Sequence, residues 1–263
     1  MSGQLKGKSA VVTGSTSGIG KAIATVFASE GANVMLNGFG DTAQIEALRA
    51  GLARDHGVKV EYHGADMTKP AEIRDLVAKA EAAFGAVDIL VNNAGIQHVA
   101  PIESFPEDRW DAIIAINLSS AFHATKAALA GMKKRRFGRI VNIASTHGLV
   151  ASPNKSAYIA AKHGIVGFTK ATAVEVAEEG IRCNAICPGF VHTPLVQKQI
   201  EDRAREAGIS TDKATRDIIL APQPTKEFVT VEQIAATALF MAGAGGDQMT
   251  GASVSVDGGW TAR

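Results

Sequence analysis

The chain has 263 residues, 46% of them hydrophobic, and a formal net charge of +1. This length is enough for one large α/β domain with a substantial core, and the near-neutral charge gives no support to nucleic-acid or membrane-surface binding. The basic run that ends at Arg136 is short and closes a predicted helix, where cations suit the helix dipole.

The two cysteines, Cys183 and Cys187, lie four residues apart around a strand-like segment, with no histidine or carboxylate set beside them. We therefore expect neither a metal site nor a disulfide framework. The sequence has no N-terminal signal stretch and no apolar run that reaches ~18 residues. From these features we expect a soluble, cytoplasmic protein.

The first strand–helix unit contains a glycine-rich turn. A short apolar run predicts a buried strand, and helical periodicity begins at Lys21. Between them, Gly14 would allow a sharp turn, while Gly18 and Gly20 would let the backbone approach a pyrophosphate. The N–H groups at the helix start would then face the phosphates. The position of this turn predicts a dinucleotide site, with a tight turn that binds nothing as the alternative.

Strand-like runs and helical patterns alternate along the rest of the chain. The predicted strands are 33–37, 59–63, 88–92, 138–143, 181–186 and 252–256. The predicted helices are 43–56, 69–84, 106–136, 157–179 and 230–241. This alternation predicts one domain over residues 1–263, with a doubly wound parallel sheet of about seven strands and right-handed crossovers.

Residues 188–228 interrupt the alternation. They are rich in charge and carry weak helical signals at 196–207 and 211–220. Long insertions in compact domains are often lids, and this one leaves from the carboxyl end of a strand, where ligands bind in such sheets. We predict a helical substrate lid.

Tyr158 and Lys162 are spaced four residues apart on a predicted helix, so their side chains share a face. A nearby ammonium favours the phenolate and lowers the pKa of a tyrosine, which could then exchange a proton with a substrate alcohol. The alternative is a packed ring beside a lysine whose stem lies along it.

Six motifs occur in register along the chain: Thr13-Gly-Ser-Thr-Ser-Gly-Ile-Gly20, Asn92-Asn-Ala-Gly95, Asn117, Ser145, Tyr158-x-x-x-Lys162 and Pro188-Gly189. Together they resemble the short-chain dehydrogenases/reductases over essentially the whole chain. The resemblance implies a Rossmann fold, NAD(P) as hydride carrier and a homotetramer. It implies that Tyr158 is the acid/base and that Ser145 bonds the substrate oxygen. It also implies that Lys162 lowers the tyrosine pKa and binds the nicotinamide ribose, and that Asn117 holds a water in a proton relay.

The same resemblance implies which residues contact the dinucleotide: Gly14, Thr16, Ser17, Gly18, Ile19, Gly20, Phe39, Asp66, Met67, Asn93, Ala94, Gly95, Tyr158, Lys162, Pro188, Gly189, Val191 and Thr193. No Lys or Arg occurs between Lys21 and Arg49 to bind a 2′-phosphate. Gly38 stands where NAD binders of the family often have Asp. Phe39 would fill the space of the phosphate, and Asp66 would accept from the adenine amino group. We predict NAD as the cofactor.

Polar segments around the predicted pocket, at 92–98, 144–150, 154–158, 193–199 and 256–263, resemble one bacterial group of the family, whose members oxidise (R)-3-hydroxybutyrate. This closer resemblance implies a substrate site made of Gln97, Ser145, His147, Lys155, Tyr158, Gln199 and Trp260. The two glutamines, the histidine and Lys155 would hold a carboxylate, which needs a cation and neutral donors. Trp260 would wall the methyl end. Phe190 and His192 replace the group's usual Trp and Arg. Taken singly, each polar residue could instead be a packing or surface residue.

The implied function is the reversible NAD-dependent oxidation of (R)-3-hydroxybutyrate to acetoacetate, with a small carboxylate and other copies of the chain as partners and no metal, nucleic acid or membrane. Two alternatives remain. One is a 3-oxoacyl thioester reductase, against which the missing NADPH-binding cation argues. The other is a nucleotide-sensing protein without catalysis, against which Tyr158 and Lys162 argue.

Overall fold

The computed structural model describes residues 3–262, with the backbone only at 194 and 195. Its strands are β1 (Ser9–Val12), β2 (Asn33–Asn37), β3 (Val60–His63), β4 (Ile89–Asn92), β5 (Gly138–Ile143), β6 (Ile181–Pro188) and β7 (Ser253–Val256). They form one sheet in the order β3-β2-β1-β4-β5-β6-β7, and every neighbouring pair is parallel. The predicted doubly wound sheet is confirmed.

Helices cover both faces of the sheet. They are α1 (Gly18–Ser29), α2 (Thr42–His56), α3 (Pro70–Phe84), α4 (Glu107–Ile114), α5 (Ser120–Arg135), α6 (Ser156–Val176), α7 (Pro194–Ala207), α8 (Thr211–Ala214) and α9 (Val231–Ala242). Because side chains alternate along a strand, β1 serves two cores. Val12 packs with Phe27 of α1 on one face, and Val11 packs with Leu76 of α3 on the other.

The predicted helix over 106–136 is confirmed as a continuous helical stretch, Glu107–Arg135, but its middle turn is not α-helical. A π-helical turn, Ala115–Ser119, separates α4 from α5 and carries the buried Asn117. Such turns insert a residue into a helix without ending it, so apolar periodicity does not reveal them, and they are frequent at functional sites. A second π-helical turn, Thr215–Ile219, follows α8 in the predicted lid.

The stretch Glu107–Arg135 is long and apolar enough to cross a membrane by length and composition alone. Core helices of globular proteins pass the same test. Here Ala124, Ala128 and Met132 are fully buried in the core beside the sheet. We therefore interpret the stretch as a core helix that packs on the sheet.

The chain leaves the centre of the sheet in opposite directions at β1 and β4, which are neighbours. Ligands bind such sheets at this switch point, beyond the carboxyl ends of the strands. The segment 188–228 follows β6 at the same edge. It forms α7 and α8 around a small apolar cluster that contains Val196, Ile200 and Ile219.

Candidate active site

A cavity of about 180 Å³ lies at this edge of the sheet. Fifteen of its lining residues were predicted from the sequence: Ile19, Asn93, Gly95, Gln97, Ser145, His147, Lys155, Tyr158, Lys162, Pro188, Gly189, Val191, Thr193, Gln199 and Trp260. Five more were not predicted as site residues: Ile96, Ile143, Ala144, Phe190 and Val196. Val196 stands three residues before Gln199 on α7, so helical spacing alone could have placed it on the same face.

The other predicted site residues do not line this cavity. Gly14, Thr16, Ser17, Gly18 and Gly20 belong to the turn between β1 and α1 or to the first turn of α1, and Phe39, Asp66, Met67 and Ala94 follow β2, β3 and β4. All of these segments lie at the carboxyl edge of the sheet, where the dinucleotide of a doubly wound fold binds.

Hydrogen bonds to the two residues that follow β4 hold the glycine-rich turn in place. Thr13 Oγ1 accepts hydrogen bonds from the backbone N–H groups of Asn93 and Ala94 at 3.0 and 3.1 Å. The Asn93 amide donates to the carbonyls of Thr13 and Gly14 at 2.8 and 3.0 Å. A Cβ on Gly20 would collide with the Gly14 carbonyl and the Asn93 amide, so this position requires glycine.

The start of α1 fits a pyrophosphate. Ser17, its N-cap residue, makes no side-chain capping bond, and the first turn contains no acidic residue. The N–H groups there and the positive end of the helix dipole therefore suit an anionic ligand.

The segment after β2 explains why the usual aspartate is missing. Gly38 has φ +146°, and a Cβ there would lie 2.6 Å from Thr16 Oγ1. The Tyr62 hydroxyl donates to the Gly38 carbonyl at 2.8 Å, and Thr16 Oγ1 donates to the Phe39 carbonyl at 2.9 Å. This backbone leaves no room for a side chain at Gly38.

We expect Gly38→Asp to weaken NAD binding about tenfold more than a side chain at an equally strained glycine would, because the new Cβ must displace Thr16 in addition to the strain of roughly 1–3 kcal/mol at such φ values. The dissociation constant can be measured by NADH fluorescence. Gly40→Asp is the matched control, since Gly40 has φ +152° but a Cβ there would find Ile45 no closer than 3.7 Å. Tighter NAD binding by Gly38→Asp would contradict this explanation.

The residues predicted near the adenine differ in exposure. The Phe39 ring is 68% exposed, whereas Met67 is buried in the apolar core. Asp66 accepts hydrogen bonds from the backbone N–H and hydroxyl of Thr68, which lower the pKa of its carboxyl group. The carboxylate is thus kept ionised as an acceptor.

Tyr158 and Lys162 lie on α6, as predicted, but the predicted lowering of the tyrosine pKa is wrong for these residues alone. Burial raises the pKa of Tyr158, and a hydrogen bond with Ser145 opposes this effect. The Lys162 ammonium lies 5.6 Å from the centroid of the Tyr158 ring and donates to the Ile143 carbonyl at 2.7 Å. Burial lowers the pKa of Lys162 to about 8.

Asn117 is connected to the site by hydrogen bonds to the backbone of Ile96, which lines the cavity. Its Oδ1 accepts from the Ile96 N–H, and its Nδ2 donates to the Ile96 carbonyl, both at 2.9 Å. The amide therefore fixes the segment that carries Gln97, and both polar atoms of its side chain are engaged there.

Three polar groups face the cavity with unused capacity for an anion. The amide nitrogen of Gln97 is buried and has no hydrogen-bond partner among the described residues. No carboxylate of residues 3–262 forms an ion pair with Lys155. The Lys155 ammonium lies 5.6 Å from the centroid of the Phe190 ring. Burial, and secondarily Arg203, lowers the pKa of Lys155. Gln199 adds a second amide from α7.

An aromatic wall closes the cavity. The Trp260 ring stacks on Phe190 with centroids 5.3 Å apart and meets the edge of His147 at 5.2 Å. Phe190, which replaces the usual Trp of the related group, thus forms part of the aromatic wall. His192, the other departure, stacks on Phe228 at the exposed rim.

His147 is buried, and its Nε2 lies 2.9 Å from Ser152 Oγ. Burial lowers its pKa from 6.5 to about 4, with Lys155 as a further cause. Between these two pKa values, His147 is protonated in the unfolded chain but not in the folded protein. The stability of the fold therefore decreases as the pH falls through this interval.

We expect the free energy of unfolding to drop by up to about 3 kcal/mol from this residue between pH 7 and pH 4. His147→Gln should flatten that part of the pH dependence, measured by urea unfolding at each pH. His192→Gln, which replaces an exposed histidine, is the matched control. Equal slopes in all three proteins would contradict the assignment.

Comparisons with known proteins agree with this geometry. A model of the short chain dehydrogenase family matches residues 8–204. The D-beta-hydroxybutyrate dehydrogenase of Cupriavidus necator is 58% identical over 261 residues, covering 98% of this chain and 100% of that protein. The protein of that name from Rhizobium meliloti is 57% identical, covering 97% and 99%. A 3-oxoacyl-[acyl-carrier-protein] reductase of Thermotoga maritima is 36% identical, covering 97% and 98%. A solved structure named as a gluconate dehydrogenase from Agrobacterium tumefaciens superposes with a TM-score of 0.87 at 34% identity, covering 97% and 96%.

Proposed function

The chain belongs to the short-chain dehydrogenase family, and we propose that it catalyses the reversible NAD-dependent oxidation of (R)-3-hydroxybutyrate to acetoacetate. One observation carries the choice of substrate. Among residues 3–262, Lys155 has no carboxylate partner and the buried amide nitrogen of Gln97 has no hydrogen-bond partner, and both side chains line the same small cavity as Tyr158. A short hydroxy acid supplies the anion and the alcohol that these groups require.

In the proposed reaction, Lys155, Gln97 and Gln199 bind the carboxylate and set the position of the C3 alcohol. Ser145 Oγ hydrogen-bonds the alcohol oxygen, and Tyr158 takes its proton as the carbonyl forms. Bound NAD supplies the hydride acceptor and, in its oxidised form, a positive charge that favours the phenolate. Lys162, held by the Ile143 carbonyl, would add a second cation near the Tyr158 ring.

NAD rather than NADP is supported by the segment after β2. No Lys or Arg occurs between Lys21 and Arg49, and Arg49 itself is engaged with Glu46 and the Val60 carbonyl. A 2′-phosphate would therefore lack a cation on this segment.

The test is to follow formation of reduced nicotinamide with NAD or NADP and a panel of (R)- and (S)-hydroxy acids. We expect the highest kcat/KM for NAD with (R)-3-hydroxybutyrate among the four-carbon acids, and little activity with its mirror image. A preference for NADPH and a 3-oxoacyl thioester, the activity named for the Thermotoga relative, would replace the proposal. Binding of NAD without any turnover would favour a nucleotide sensor.

We also propose a cytoplasmic homotetramer. Trp110 on α4, Phe122 on α5 and Val174 on α6 are exposed apolar residues, and the rings of Phe122 and Phe168 join α5 to α6. Burying this surface against another copy would remove apolar area from water. Light scattering after gel filtration should give the mass of four chains, and Phe122→Asp should lower it.

A further inference from the structure

A second, larger cavity adjoins the substrate pocket. Its volume is about 630 Å³, and it lies between α7, the π-helical turn 215–219 and the loop 151–153. Four residues line both cavities: Lys155, Phe190, Gln199 and Trp260. These side chains therefore form a common border of the two cavities.

Apart from the polar border that it shares with the first cavity, the second cavity is lined mainly by apolar side chains and by charged residues that form ion pairs. Its apolar walls are Val99, Ala151, Pro153, Ile218, Ile219 and Pro222. Among its charged residues, Arg203 pairs with Glu206 at 2.8 Å, and Asp202 pairs with Arg205 at 3.2 Å. These pairs leave no reason for a second anion to bind there, whereas a hydrocarbon chain would be removed from water.

The shared border has a polar part and an aromatic part. Lys155 and Gln199 form the polar part, and the stacked rings of Phe190 and Trp260 form the aromatic part. A carboxylate held by the polar part leaves the far end of a hydroxy acid against the aromatic rings. The first cavity is small and must also receive the nicotinamide, so further carbons need room beyond those rings.

We propose that the second cavity binds the alkyl tail of longer (R)-3-hydroxy acids, which the enzyme oxidises in addition to the four-carbon acid. This inference rests on the proposed function. Phe190 and Trp260 determine the tolerated chain length, because a tail must pass beside their stacked rings. The smaller ring at Phe190, compared with the tryptophan of the related group, favours that passage.

The experiment compares kcat/KM for (R)-3-hydroxybutyrate, (R)-3-hydroxyhexanoate and (R)-3-hydroxyoctanoate in the wild type and in Ile218→Trp. Ile218 lines the second cavity and not the first, and an indole there would narrow the space for a tail. We expect Ile218→Trp to lower kcat/KM for the longer acids at least about tenfold and to change the value for the four-carbon acid less than about twofold. Phe190→Trp should also lower the ratio of long-chain to short-chain activity.

Ile102→Trp is the matched control, because Ile102 is 76% exposed and lines neither cavity. It should leave all three activities at the wild-type level, and melting temperatures would verify that every variant is folded. Oxidation of the four-carbon acid without measurable oxidation of the longer acids would overturn the tail site and leave the proposed function in place. An equal loss for all substrates in Ile218→Trp would do the same. If no hydroxy acid is oxidised although NAD binds, the proposed function itself fails, and the tail site with it.

Discussion

Replacing Tyr158 with Phe should lower kcat about 10²–10⁴-fold, the usual contribution of a positioned acid or base, while NAD still binds. The change removes one hydroxyl group and keeps the ring, so the half-buried packing position on α6 is retained. Turnover should be measured at saturating substrate, and NAD affinity by fluorescence. A large loss of NAD affinity with kcat unchanged would contradict the role of the hydroxyl in proton transfer.

The chain provides its own control, since it has two tyrosines. Tyr62→Phe removes the same atom from the hydroxyl that donates to the Gly38 carbonyl. This hydroxyl holds the segment predicted beside the cofactor, so we expect a higher KM for NAD with kcat preserved. The pair of variants thus separates loss of the acid/base from loss of any phenol near the dinucleotide.

The elements of this fold were predictable because their signals are local. Strand β2, at Asn33–Asn37, and strand β5, at Gly138–Ile143, match the predicted bounds because short apolar runs between turn residues have few other readings. The π-helical turn that carries Asn117 was not predictable, because the apolar spacing on both sides of it remains helical.

The candidate site was predictable in its residues and less so in its electrostatics. Motifs in register identified Tyr158 and Lys162, but the pKa direction of the tyrosine depends on how deeply the ring is buried and on where the ammonium points. Neither quantity is present in the four-residue spacing. The second cavity likewise depends on packing. Val99 and Ile218, which both line it, are far apart in sequence and come together only in the folded chain.

Replacing Lys155 with Ala should raise KM for (R)-3-hydroxybutyrate roughly 10–100-fold, because a hydrogen bond to a charged group contributes about 1.5–3 kcal/mol. The expected change in kcat is small, since the ammonium holds the carboxylate in the ground state and the transition state alike. Steady-state kinetics at saturating NAD measures both constants. Lys134→Ala, a change at an exposed lysine near the end of α5, is the control and should leave them unchanged.

A substrate without the charge makes the test specific. The methyl ester of (R)-3-hydroxybutyrate keeps the alcohol but cannot pair with an ammonium, so the wild type should bind it poorly. Lys155→Ala should then lose little further activity on the ester, because the interaction is already absent, and the two changes should be strongly non-additive. If the variant instead lost as much activity on the ester as on the acid, Lys155 would act on the packing against Phe190 and not on the substrate anion.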